Sequence, residues 1–129
     1  MKKNLIADKT FDFALQIIDL TFKLKEQKEF IISTQLLKSG TSIGANVEES
    51  IAAQSTRDFI AKLSISAKEA RETRYWLRLL QKSNLTSLDV EYHLDEIEQI
   101  IKILTKIILT KLPFSEGLAS WMFKKYDKS

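Results

Sequence analysis

Apolar positions recur along this chain at intervals of three and four, the pattern of helices that each bury one face. From about Asn4 to Lys25, the residues Phe11, Ala14, Leu15, Ile18, Phe22 and Lys25 repeat at helical spacing, while Asp12, Asp19 and Lys23 fall outside the stripe. That stripe predicts a first helix and its inward face. The charged run Lys25 to Glu29 reads as a frayed end and a link. A second helix is predicted from Phe30 or Thr34 to Ala53, with Leu36, Gly40, Ile43, Val47 and Ile51 on one face. Ser55, followed by Asp58, resembles a capping box and opens a third helix that runs to Lys82. After the break SNLTS, Thr86 or Ser87 is expected to cap a fourth helix, with Asp89 and Glu91 near its positive end. Its stripe is Val90, Leu94, Ile97, Ile101, Leu104 and Ile108, and Pro113 ends it.

Short links between four amphipathic helices predict an all-α, antiparallel up-down-up-down bundle over residues 1–112. Residues 113–129 are expected to form a C-terminal tail, as a short helix or a mobile segment. Composition agrees. With 3 Gly and 1 Pro in 129 residues, the chain lacks the turns that a sandwich or barrel needs. The isoleucine-rich fourth segment is too long and too regularly spaced for a strand. Gly40 and Gly44 interrupt the second helix, each at about 1 kcal/mol relative to Ala. Close approach of a neighbouring helix explains them better than a ligand surface, because no phosphate-loop spacing accompanies them.

The balance of 44% apolar and 29% charged residues fits a soluble globular chain. No apolar run is long enough to span a membrane, and the opening MKKNLIADKTF lacks a signal-like apolar core. A cytoplasmic protein without a membrane partner is expected.

The net charge of +3 hides an uneven layout. The third helix carries seven Lys or Arg against three acids, and five acids crowd Asp89 to Glu98. At about 100° per residue, Lys68, Arg71, Arg78 and Lys82 share one sector with Tyr75, and Arg57 precedes them. Two readings stand at this point. The stripe is a solvated face paired with the acids of the fourth helix, or it contacts the phosphates of RNA or DNA.

On another side of that helix, Ile65, Trp76 and Leu79 form a second apolar strip edged by Glu69 and Glu72. A helix in a monomeric bundle needs one buried face, so this strip points to an oligomer interface. Trp121, Met122 and Phe123 add apolar surface for self-association or a protein partner. Arg74 falls within the core stripe Phe59, Ile60, Leu63, Ala67, Ala70 and Leu77. An unpaired charge there is costly, which predicts a structural polar network with Glu49 or Glu48, Asn46 and Ser42.

Catalytic constellations are missing from the sequence. There is no Cys, and His93 is the single His, expected to be exposed. No Glu-x-x-His pair, Gly-x-Ser-x-Gly or Walker loop occurs. A non-enzymatic protein with no cofactor and no metal is expected.

The run Gln35 to Leu80 carries a resemblance. Ser39, Ser42, Ile43, Asn46 and Glu49 match a Ser-x-x-Ser-Ile-x-x-Asn motif followed by an acid. Phe59, Ile60, Leu63, Ala67, Glu69, Glu72, Trp76 and Leu77 match the helix that follows it. Together they resemble the bacterial four-helix-bundle proteins encoded in 23S ribosomal RNA intervening sequences. Ser50 stands where many members have Gly. The resemblance implies a homopentamer without enzymatic activity. It also implies kinship with the accessory variability determinant of diversity-generating retroelements, a pentameric barrel that binds nucleic acid and a reverse transcriptase.

Overall fold

The computed structural model describes residues 4–112, which form four α-helices: α1 Leu5–Glu26, α2 Ile31–Ile51, α3 Thr56–Lys82 and α4 Glu91–Lys111. No strand occurs among the described residues. The expected tail, with Trp121, Met122 and Phe123, lies outside them. Each helix packs on two others: α1 on α2 and α4, α3 on α2 and α4, with no close approach across either diagonal. Along α1 and α2, Ile17 faces Gly40 while Thr10 faces Gly44. Along α2 and α3, Thr73 meets Ser39 and Ser66 meets Ile43. Along α3 and α4, Arg74 meets Glu98 and Gln81 meets Glu91.

Local chemistry sets the helix ends. The Asn4 side chain accepts the Ala7 N–H at 3.1 Å, and the Ser55 hydroxyl accepts the Asp58 N–H at 3.0 Å. Asp58 accepts from Gln54 N–H at 3.4 Å, so the reciprocal arm of a capping box reaches one residue too early. The charged link is ordered rather than frayed. Lys28 takes φ 65°, and the Lys28 and Glu29 N–H groups donate to the Lys25 and Leu24 carbonyls, closing a Schellman motif with Lys at its left-handed position. The Glu29 carboxylate then accepts from Ile31, Ile32 and Ser33 N–H at 3.1, 3.1 and 2.7 Å, capping α2 with a negative charge. α4 begins at Glu91, later than Thr86 or Ser87. Thr86 is diverted, accepting the Leu88 N–H at 3.1 Å in a local turn and donating to Gln27 at 2.6 Å.

The core corrects the expected face of α1. Ile6, Phe13, Ile17, Leu20 and Leu24 are buried, whereas Phe11, Leu15 and Phe22 are 64%, 50% and 66% exposed. At about 100° per residue the two sets lie nearly opposite each other. The glycines of α2 decide between them. A Cβ at Gly40 would stand 2.8 Å from Ile17 Cγ2, and one at Gly44 would stand 3.3 Å from the Thr10 carbonyl oxygen. Their lack of side chains admits the Ile17 side, as close helix approach requires. Elsewhere the expected stripes hold in large part. Leu36, Ile43, Val47, Leu63, Ala67, Ala70, Leu77, Val90, Ile97, Ile101 and Leu104 are buried, with Phe59, Leu94 and Ile108 packed against them. Ile51 is exposed, and Ile60 is half-buried.

Candidate nucleic-acid interface

α3 holds its outer face clear of the bundle because its inner face is filled by small and aliphatic residues. Leu63, Ala67, Ala70, Leu77 and Leu80 are buried, and Ser66 and Thr73 bring their hydroxyls with them. Ser66 donates to the Ile43 carbonyl at 2.8 Å, and the Thr73 and Ser39 hydroxyls share a hydrogen bond of 2.9 Å. These small polar groups satisfy one another within the seam, so α2 and α3 pack closely without an orphaned polar atom there. Their signal in the sequence is Ser and Thr at core positions of both helices.

The expected network of Ser42, Asn46, Glu49 and Arg74 does not form. Arg74 lies on the α4 side of α3, and its Nη1 meets Glu98 Oε1 at 2.9 Å. Glu49 pairs instead with Lys62 at 3.1 Å. Ser42 donates to the Lys38 carbonyl at 2.6 Å, and Asn46 donates to the Ser42 carbonyl at 2.9 Å. Helical rotation separates the members: Arg74 serves the α3/α4 seam, while Glu49 faces the start of α3.

Three of the five acids at the start of α4 are taken up elsewhere than by the basic stripe. Glu96 binds Lys9 at 2.7 Å, Glu98 binds Arg74, and Glu91 accepts from Gln81 at 2.6 Å. Arg57, Lys68, Arg78 and Lys82 are exposed and have no hydrogen-bond or ion-pair partner among the described residues. Arg71 is half-buried, with Nη1 donating to the Ala67 carbonyl at 3.4 Å. Tyr75 stands exposed among these cations, its ring edge-to-face with Trp76 at 5.2 Å. Charge and an aromatic plane therefore share one solvent-facing strip.

Beside Lys68 and Arg71 a cleft of about 340 Å³ opens between α3 and α4. Ala67, Ile108 and Leu109 make it apolar, and Ser64 and Thr105 complete the lining. The α4 segment after Glu98 contains no acid through Leu112, and its Lys102 and Lys106 are exposed. Spacing along α3 does not reveal these two lysines, because they belong to a different helix from the stripe.

The strip assigned to an interface is uneven. Ile65 is 44% exposed, but Trp76 and Leu79 are half-buried, Trp76 packs on the core, and its Nε1 donates to Glu72 at 3.2 Å. The more exposed apolar surface is the outer side of α1. His93 is half-buried rather than exposed, with a buried Nδ1 that has no partner. Burial pushes its imidazole below the ordinary 6.5, against the opposing pull of the Asp19 charge and of the nearby Gln16 backbone. Among the described residues no cluster of three His, Cys, Asp or Glu could hold a metal ion, and no helix is long and apolar enough to cross a membrane.

Fold and surface thus define a class, the four-helix all-α proteins with one cationic outer helix. Residues 2–106 match the family described as 23S rRNA-intervening sequence protein, and the chain belongs to that family. A similar solved structure is a 1.70 Å crystal structure of a protein of unknown function from the S23 ribosomal protein family of Bacteroides thetaiotaomicron VPI-5482. It is 47% identical, covers 80% of this chain and 97% of its own, and has a TM-score of 0.73. No curated protein matches this chain.

Proposed function

We propose that this chain is a non-enzymatic, cytoplasmic protein that binds nucleic-acid phosphates through the outer face of α3. We read it as an up-down-up-down bundle that assembles with copies of itself, the pentamer being the number the family resemblance implies. The observation that carries the reading is the set of cations Arg57, Lys68, Arg78 and Lys82, exposed and without partners among the described residues. A stripe neutralised within the fold would have used the α4 acids, of which Glu96, Glu98 and Glu91 are engaged by Lys9, Arg74 and Gln81 instead. Repetition of the stripe around a ring would turn a modest patch into a field over many phosphates. Titration of the purified protein with RNA and DNA across salt concentrations tests this. Four contacts to a single strand give a log–log slope of about −3, a loss of roughly fiftyfold for a fourfold rise in salt. Charge reversal at Arg71 and Arg78 should remove binding and leave oligomer size intact. Absence of binding at low salt rejects the proposal.

A second reading, a protein-binding oligomeric scaffold, draws on the outer side of α1, where Phe11, Leu15 and Phe22 form an exposed apolar line. Light scattering after size exclusion decides whether that line and Ile65 are covered by another copy. An assembly that ignores RNA and DNA would favour this reading, and a monomer would remove self-association from both.

A further inference from the structure

We infer that the cleft between α3 and α4 receives an unpaired nucleobase, so that the favoured ligand of the cationic face is a single strand. This rests on the phosphate-binding reading above and adds the ligand's form. A lone row of cations would treat single and double strands alike, because phosphates carry no information about pairing. This row passes a cavity. Lys68 is at once a member of the stripe and a lining residue of the cleft, so a phosphate held there brings its own base to the opening. The walls suit a base: Ala67, Ile108 and Leu109 are apolar, and the Ser64 and Thr105 hydroxyls offer donor and acceptor. None of the described lining residues is acidic, and Lys102 and Lys106 add positive charge on the α4 side.

Size excludes the duplex. About 340 Å³ is near the lower end of the 300–1,000 Å³ typical of small-molecule sites, enough for a base and its sugar but not for a base pair with two backbones. A base reaches such a recess only when it is already unpaired or pays to leave its stack. Further along α3, Tyr75 offers a plane for another base, and Arg78 and Lys82 continue the phosphate track. At about 1.5 Å per residue, Lys68 and Lys82 are about 21 Å apart along the helix, a length that suits a few nucleotides of extended strand.

The test compares a short oligouridine with duplex DNA of equal length on the full chain at low salt. Ser64 is exposed, so Ser64→Phe fills the opening without entering the core. It should weaken oligouridine binding by about tenfold or more, the scale of one base contact, and leave duplex binding unchanged. Lys68→Glu should weaken both. As a measurement needing no variant, 5-iodouridine in the oligonucleotide should photo-cross-link to the α4 segment around Thr105 and Ile108 as well as to α3. This arm decides alone should Ser64→Phe lose helicity by circular dichroism. Equal binding of both nucleic acids by Ser64→Phe and the unaltered chain, or cross-links confined to the outer stripe of α3, would overturn base insertion while leaving phosphate binding intact. Tighter binding of duplex than of oligouridine would do the same. If neither nucleic acid binds, both readings fall.

Discussion

The two sides of α2 and the seam between α1 and α4 are built on different chemistry. α2 meets its neighbours through Gly40, Gly44 and Ser39, small enough to bring backbones together, so that the Thr73 hydroxyl reaches Ser39 and the Ser66 hydroxyl reaches the Ile43 carbonyl. α1 and α4 meet through longer, charged groups. Lys9 reaches Glu96 and Gln99 at 2.7 and 2.9 Å, and a cleft of about 490 Å³ lined by Asp8, Asp12, Gln16 and Tyr92 remains open. The first kind of seam fixes geometry because it tolerates no added atom. The second tolerates change because water stands in for lost contacts.

The contrast orders the expected effects of substitution. Gly40→Val should be the most damaging, since even a Cβ there meets Ile17 at 2.8 Å within a filled core. A loss of about 2–3 kcal/mol in urea unfolding is expected from such overpacking, and unchanged stability would mean the close approach is not required. Thr73→Val keeps the shape and deletes the partner of the Ser39 hydroxyl, at about 1–2 kcal/mol. Adding Ser39→Ala should recover part of that loss, and strict additivity of the two would deny the coupling.

The open seam gives smaller effects, one of them dependent on pH. His93 is held neutral by burial, so its folded pKa lies below the unfolded 6.5. Between those values the unfolded chain binds more protons, and stability contributed by neutral His93 is lost as pH falls from above 6.5 through the folded value. The charges of Asp19 and Asp89 oppose the shift and that of Lys23 adds to it. His93→Gln should flatten the stability profile in that window, and an unchanged slope would assign it to other groups. Lys9→Met should cost the least, no more than about 1 kcal/mol, because its ion pair keeps some solvent and is screened by salt. A larger loss would place this seam with the closed ones.

Caps and periodicity made most of the helices legible. Ser55 and Asn4 act within their own turns, so no distant residue is needed to place those starts. Thr86 misled for the converse reason: its hydroxyl bonds Gln27, fifty-nine positions away in the chain, and α4 starts at Glu91 instead. The cationic stripe could be read from spacing on one helix. Its pairing state could not, because Glu91, Glu96 and Glu98 find their partners through packing. The recess beside Lys68 was invisible as well, since α4 supplies Thr105, Ile108 and Leu109 of its wall.

The sequence alone determined that this chain forms four long helices with short links and one cationic helix. Those properties are set by neighbours three and four residues apart. Only the tertiary structure decided which of two apolar faces α1 turns inward. Phe11, Leu15 and Phe22 have the periodicity of a core stripe as fully as Phe13, Ile17 and Leu20 do. Periodicity fixes the arc of a helix that is apolar, and the choice between two arcs falls to the partner. Here the partner is α2, whose Gly40 and Gly44 leave room for Ile17 and Thr10.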